Sequence, residues 1–340
     1  MKAIILCAGY GERLKPLTNI LPKPLFPVVG YPLLGHIIYY LKQFGVNEIG
    51  VNTHWLAEKI KEYLGDGGEF GIKFHISHEP QILGIGGGIG AMRDFLNEDI
   101  FIVHNGDVLS NINLIPAIEY HKKNKALTTL ILHNYPQFNN ISMVSNNIVD
   151  IGERVQELKS SRVKEFKSLR VQELKSSRVK EFKSLRVQEL KVAYTGIAIM
   201  SKKTLDFLPY KELCSIVDVW IELIKTHPGS LKGYIVGQPQ GLPLHYWAEI
   251  GSIRGYLNLH HNILIDRLIS NSPVSNICMG KNSTLSKLTS IIGFASIGNN
   301  CVIEDKVVLE NCIVWDNTIV KSGTSAKNAV FYPSGFLNAE

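Results

Sequence analysis

The chain has 340 residues, 45% hydrophobic and 19% charged, the balance of a folded globular protein with length for one large core or two ordinary ones. No apolar run is long enough to cross a bilayer, and the five cysteines are odd in number with no C-x-x-C pair, which argues against a disulfide framework or a zinc site and for a reducing cytoplasm. The net charge of +6 invites a nucleic-acid reading, yet residues 155–191 alone hold 11 Lys/Arg against 5 Asp/Glu, the whole excess of the chain's 36 over 30, so no basic face is expected elsewhere.

In chain order, Lys2–Cys7 reads as a buried strand. Its apolar run gives way at Ala8, too early for the core of a signal peptide. Helix Leu33–Phe44, strand Glu48–Asn52, helix Trp55–Leu64, strand Lys73–Ser77 and helix Gly88–Leu96 follow. Then come strand Ile100–Asn105, helix Leu114–Asn124 and strand Leu127–His133. Strands spaced by helices predict an α/β fold, with a mixed, mostly parallel sheet covered by helices on both faces.

Val155–Arg170 (VQELKSSRVKEFKSLR) repeats letter for letter as Val171–Arg186, and Val187–Lys191 begins a third copy. An eight-residue half-repeat turns a helix about 80° past two turns, so its valines spiral and form no apolar stripe. The segment reads as an exposed basic insert at 155–191. Beyond it lie strand Ala193–Met200, helices near Lys202–Leu208 and Ile216–Thr226, strands near Leu231–Val236 and His245–Ile250, and a helix from Ile253 to about Ile269.

From residue 273 the pattern changes. Apolar residues recur every six positions at Leu285, Ile291, Ile297, Ile303, Leu309 and Trp315. This is the period of a parallel β-helix. About six hexads give about two coils over 273–333, with 334–340 as a tail.

The loop Ala8–Val28, AGYGERLKPLTNILPKPLFPV, follows the first strand. Gly9 and Gly11 let backbone approach a ligand where open α/β sheets bind theirs. Arg13 offers a fork for phosphate oxygens, Lys15 and Lys23 offer point charges, and the prolines stiffen the loop. A third Rossmann glycine and a P-loop G-K-[ST] are both missing. Asp107, in His104-Asn105-Gly106-Asp107 at a strand end, can hold Mg²⁺ against phosphate oxygens. Taken alone, an N-G-D also suits an Asp capping the next turn.

Gly9, Gly11, Arg13, Pro16-Leu17-Thr18 and Pro22-Lys23-Pro24-Leu25 resemble the signature of the sugar-nucleotide pyrophosphorylases. Mannose-1-phosphate guanylyltransferases and N-acetylmuramate-1-phosphate uridylyltransferases are the nearest members. The resemblance implies the nucleotide-diphospho-sugar transferase fold, Rossmann-like, over 1–272, with the insert within it. It implies a short left-handed parallel β-helix after that domain, through which a homo-oligomer could assemble.

It also implies condensation of a nucleoside triphosphate with a sugar 1-phosphate. Arg13, Lys23 and Asp107 would be catalytic, and Mg²⁺ would sit on Asp107 and Glu249. Glu249 and Ser252 replace the family's D-x-G-T. Ala8, Gly9, Gly11, Glu79, Gly84 and Gly106 would line the nucleotide site, with Glu79 accepting from guanine or uracil and a lean to guanine. Thr195 and Gly196 would line the sugar pocket. A Glu-Lys pair that grips the sugar in many relatives is missing, and the repeat occupies that stretch. A non-catalytic regulatory subunit is a second expectation, and an acyltransferase in the β-helix a third, disfavoured because Pro273–Glu340 has no His. No nucleic-acid or membrane partner is expected.

Overall fold

Strands Lys2–Leu6, Glu48–Thr53 and Lys73–His78 lie side by side and parallel, with Glu48–Thr53 in the middle. Helices Leu33–Lys42 and Ala57–Leu64 make the parallel connections possible. The first buries Leu33, Leu34, Ile37, Ile38 and Leu41, a stripe at helical spacing, each worth about 1.5–3 kcal/mol of apolar burial. The computed structural model describes residues 1–152, 189–237, 245–269 and 275–339. The repeat at 155–188 and the expected boundary at 272/273 lie outside the described residues.

The chain divides into two compact units, one of residues 1–82, 104–113 and 244–340, the other of 83–103 and 114–243. The first holds the three parallel strands, and its strand Val108–Ser110 pairs antiparallel with Trp247–Glu249. Helix Ile253–Leu264 follows, its N-terminus capped by Ser252 Oγ, which accepts from Gly255 N–H at 3.0 Å.

Past this helix, successive coils stack through parallel pairs offset by 17 or 18 residues: Ile277 with Ala295, Leu285 with Ile303, Ile291 with Leu309, Ile297 with Val314. Val314 pairs in turn at the level of Phe331, so there are four rungs where the hexad count gives about two coils. The register slips between Ile292 and Ala295, which puts Val314, not Trp315, on the rung of Ile297. Ile297, Ile303, Leu309, Cys312, Val314 and Val320 form the interior. Asn282, Asn300 and Asn317 take positive φ at the corners, with Asn282 Nδ2 donating to Asn300 Oδ1 and Asn300 Nδ2 to Asn317 Oδ1, each at 3.2 Å. The residues assigned to a tail at 334–340 instead carry the strand Gly335–Asn338, hairpinned on Ala329–Tyr332.

The second unit supplies the antiparallel part of the expected mixed sheet. Thr128–His133, buried at all six positions, is parallel to Leu231–Ile235 but antiparallel to Glu189–Ser201. The hairpin Ile141–Val144 and Asn147–Ile151 adds two more antiparallel strands, folded over at Ser145 with φ 56°. Strand Glu189–Ser201 begins inside the last repeat copy: Glu189, Leu190 and Lys191 pair with Val144, Met143 and Ser142. The sheet is mixed because a tight hairpin reverses the chain where a helical crossover would have kept it parallel. The helix read as Gly88–Leu96 forms earlier, over Gly84–Ala91. A Cβ at Gly87 or Gly90 would collide with the carbonyl of Glu212 or Pro209, so this glycine run serves close packing.

Among the described residues no helix is long and apolar enough to cross a membrane.

Candidate active site

Residues of the first unit build the site from two strand ends. After Leu6 the chain enters Cys7-Ala8-Gly9-Tyr10-Gly11, with Ala8 half-buried and Gly9 exposed. A Cβ at Gly9 would meet nothing within 4 Å, whereas one at Gly11 would come within 2.6 Å of Thr18 Cγ2. Gly11 also holds φ 65°, a left-handed backbone that disfavours other residues. Its carbonyl accepts from Leu14 N–H at 2.9 Å and Thr18 Oγ1–H at 3.2 Å. These bonds tighten the single turn Glu12–Leu14 that presents Arg13, whose side chain is 60% exposed.

Lys23 opens a second single turn, Lys23–Leu25, in which Leu25 N–H donates to Pro22 O at 2.8 Å and Phe26 N–H to Lys23 O at 3.1 Å. Lys23 Nζ lies 2.8 Å from Asp107 Oδ2, with the two side chains 15% and 24% exposed. Gly106 makes this meeting possible. Its N–H donates to Leu6 O at 2.9 Å, and a Cβ there would sit 2.6 Å from Leu6 O and 2.9 Å from Cys7 Sγ.

Asp107 O accepts from Ile250 N–H at 2.9 Å, and Val108 stands opposite Glu249 in the ladder. The backbones bearing the two carboxylates therefore run side by side. Glu249 Oε1 is 3.8 Å from Arg13 Nη2, and Gly251 leaves room beside both. Each carboxylate thus faces one cation of the loop. Among the described residues no three His, Cys, Asp or Glu side chains gather as a metal cage. Two carboxylates completed by phosphate oxygens suit Mg²⁺, which prefers hard oxygen ligands and keeps part of its shell for substrate.

Glu79 takes a different place from the expected one. It is 1% exposed, and its Oε1 accepts from Asn52 Nδ2 at 2.7 Å. Asn52 Oδ1 accepts from Cys7 N–H at 2.7 Å. The carboxylate therefore anchors the start of the glycine loop from beneath. His54 Nδ1 lies 2.6 Å from Glu79 O, which makes Nδ1 the donor and leaves Nε2, 3.0 Å away, to accept from Tyr10 O–H. Asn52, at the end of strand Glu48–Thr53, is the residue that ties the glycine loop to Glu79.

Burial raises the Cys7 thiol far above its ordinary range, and the Asp107 charge raises it further, so it carries no nucleophilic thiolate. Burial also lowers His104 to about 4, leaving a neutral ring beneath Asp107.

Gly84, Thr195 and Gly196 belong to the second unit. Gly84 holds φ 70°. Thr195 is fully buried and its hydroxyl donates to Ile131 O at 2.8 Å. Gly196 holds φ 82° within the irregular register between Tyr194 and Ala198.

A model of the Nucleotidyl transferase family matches residues 2–142. The chain is 45% identical over 120 residues to the N-acetylmuramate alpha-1-phosphate uridylyltransferase of Neisseria meningitidis serogroup B, covering 35% of this chain and 52% of that protein. It is 35% identical over 130 residues to the mannose-1-phosphate guanylyltransferase of Mycobacterium tuberculosis, covering 38% of this chain and 36% of that one. The chain thus spans about a third to a half of the length of these curated relatives. The solved structure of HddC from Yersinia pseudotuberculosis aligns with 76% of this chain and 97% of its own at a TM-score of 0.55 and 19% identity, a likeness of fold.

Proposed function

We propose that this chain, whose residues 2–142 match a model of the nucleotidyl transferase family, condenses a nucleoside triphosphate with a sugar 1-phosphate. The Lys23–Asp107 pair at 2.8 Å, set by the close approach of Gly106 to Leu6, is the observation that carries this reading. A phosphate oxygen of the sugar 1-phosphate attacks the α-phosphorus in line. The bond to the β-phosphate oxygen breaks, and pyrophosphate leaves with its electron pair.

Positioning and charge do the catalytic work. Lys23 neutralises charge growing at the α-phosphate, and Arg13 steadies the departing pyrophosphate. Asp107 and Glu249 would hold Mg²⁺, which supplies charge neutralisation between the substrates' oxygens. Before substrate arrives, Lys23 and Arg13 balance those same carboxylates. Ala8, Gly9, Gly11 and Gly106 give the nucleotide its backbone approach. Gly84 would face the base, and Thr195 and Gly196 the sugar. With Thr195 Oγ1 occupied by Ile131, backbone groups are what that segment offers. Glu79 acts beneath the nucleotide through Asn52.

GTP with mannose 1-phosphate is the first pair to test. UTP is the second reading, favoured by the 45% identity to a uridylyltransferase. The stacked coils are read as a left-handed parallel β-helix, a surface for homo-oligomer assembly, in a protein of the cytoplasm. The deciding experiment measures pyrophosphate release for GTP, UTP, dTTP and CTP against a panel of sugar 1-phosphates with Mg²⁺. Turnover in one pair is expected. Nucleotide binding with no turnover in any pair would replace the enzyme reading with that of a regulatory subunit.

A further inference from the structure

We infer that the C-terminal coils position Lys23, through a buried relay that runs Trp315–Tyr256–Pro27. Phe26, two residues past the Pro24 that follows Lys23, is fully buried. Its ring centre lies 4.9 Å from that of Trp315 and 5.4 Å from that of Tyr256. Trp315 Nε1–H donates to Tyr256 Oη at 3.2 Å, and Tyr256 O–H donates to Pro27 O. Trp315 comes from the coils and Tyr256 from helix Ile253–Leu264.

The next peptide groups are gripped as well. Val29 N–H donates to His260 Nε2 at 3.2 Å, and His36 Nε2 bonds Val28 O at 3.0 Å. His260 Nδ1 lies 3.1 Å from Tyr256 O, so Nδ1 is the donor and Nε2 is free to accept. Residues 26–29 are therefore held at the Phe26 ring, Pro27 O, Val28 O and Val29 N–H. Nothing in a local reading of PKPLFPV demands this, since a proline-stiffened loop could leave the surface after Leu25.

The consequence falls on Lys23, because Phe26 N–H donates to Lys23 O at 3.1 Å. The single turn that aims Nζ at Asp107 ends on the residue that the coils clamp. A displacement of about 1 Å in a group that stabilises charge can cost roughly a hundredfold in rate. Trp315 and Tyr256 are thus positioning residues, acting on the reaction through Phe26 and Lys23 without reaching substrate. Only the kinetic arm of the following test rests on the proposed activity.

Tyr256→Phe removes the hydroxyl that links Trp315 to Pro27, and Trp315→Phe keeps an aromatic ring but deletes its N–H. In each folded variant two quantities are measured: amide exchange of residues 25–29, and kcat and KM for the turned-over pair. We expect exchange at Phe26 and Val29 to rise about tenfold or more, and kcat to fall about tenfold with KM for nucleotide held within twofold. Trp315→Phe should show the same pattern more weakly and guards against a folding defect in Tyr256→Phe. Unchanged exchange at residues 26–29 in both variants overturns the clamp. Faster exchange with kcat within twofold of the parent overturns its link to Lys23. If the unaltered protein turns over no pair, the proposed activity falls, and the exchange measurement still decides the clamp.

Discussion

Replacing Asp107 by Asn keeps the side chain's shape and one oxygen acceptor for Lys23 while deleting the charge. At 2.8 Å and an effective dielectric near 20, the gross attraction is about 6 kcal/mol. Most of that is offset by the desolvation of two groups that are 15% and 24% exposed. The pair lies between exposed ion pairs, worth about 0–1 kcal/mol, and fully buried ones, whose breaking costs about 3–5 kcal/mol. Asn still accepts a hydrogen bond, so the expected loss of stability is about 1–2 kcal/mol, or roughly 1–3 °C in Tm. Activity should suffer far more. Loss of a charge at the reacting phosphates costs about 10²–10³ in kcat, which a coupled pyrophosphate assay at 25 °C reads with the protein still folded. Lys23→Met should give a comparable loss, and the double variant should fall well short of the summed effects because the two groups act on one another. A folded Asp107→Asn protein with kcat within threefold of the parent would refute the placement of the reacting phosphates at this pair.

Three further outcomes follow from the same geometry. Gly106→Ala places a Cβ 2.6 Å from Leu6 O, and should destabilise by about 1–3 kcal/mol, seen as a lower urea midpoint; an unchanged midpoint would show that the strand ends part freely. Asn52→Leu removes the side-chain acceptor of the buried Cys7 N–H and one donor to the Glu79 carboxylate, and should cost about 1–3 kcal/mol in the same assay, whereas a loss below about 0.5 kcal/mol would show that the network holds nothing. His104 and His260 are each lowered by burial to about 4, against an ordinary value of about 6.5. The unfolded chain binds more protons in that window, so stability is full above pH about 6.5 and falls as pH drops toward 4, by up to about 3 kcal/mol per histidine; urea titrations at pH 7 and 5 test the sign, and greater stability at pH 5 would contradict it.

The glycine loop and the Asp at a strand end could be picked out because the spacing that marks them is local. Gly9, Gly11, Arg13 and Lys23 stand within a few turns of chain, and Gly106-Asp107 ends an apolar run. The six-residue period was legible too, yet its slip at Ile292–Ala295 was not, since one extra corner residue leaves no mark in composition. The hairpin Ile141–Ile151 was missed, and the strand read as Ala193–Met200 begins earlier, at Glu189 inside the last repeat copy. Their partners are chosen by the sheet and not by the segment. Glu79 shows the same limit: the sequence gives a carboxylate, and only packing reveals that it lies beneath the glycine loop with an oxygen bonded to Asn52.

By itself the sequence singled out the groups proposed here to meet a triphosphate: two glycines for approach, Arg13 and Lys23 for charge, and Asp107 for a cation. Side-chain type and short spacing are enough for that. Tertiary structure decided which carboxylate faces which cation, that Gly106 abuts Leu6, and that Phe26 lies under Trp315. Those relations join residues far apart in the chain. They are set by burial and hydrogen-bond satisfaction over the whole core, which no local pattern encodes.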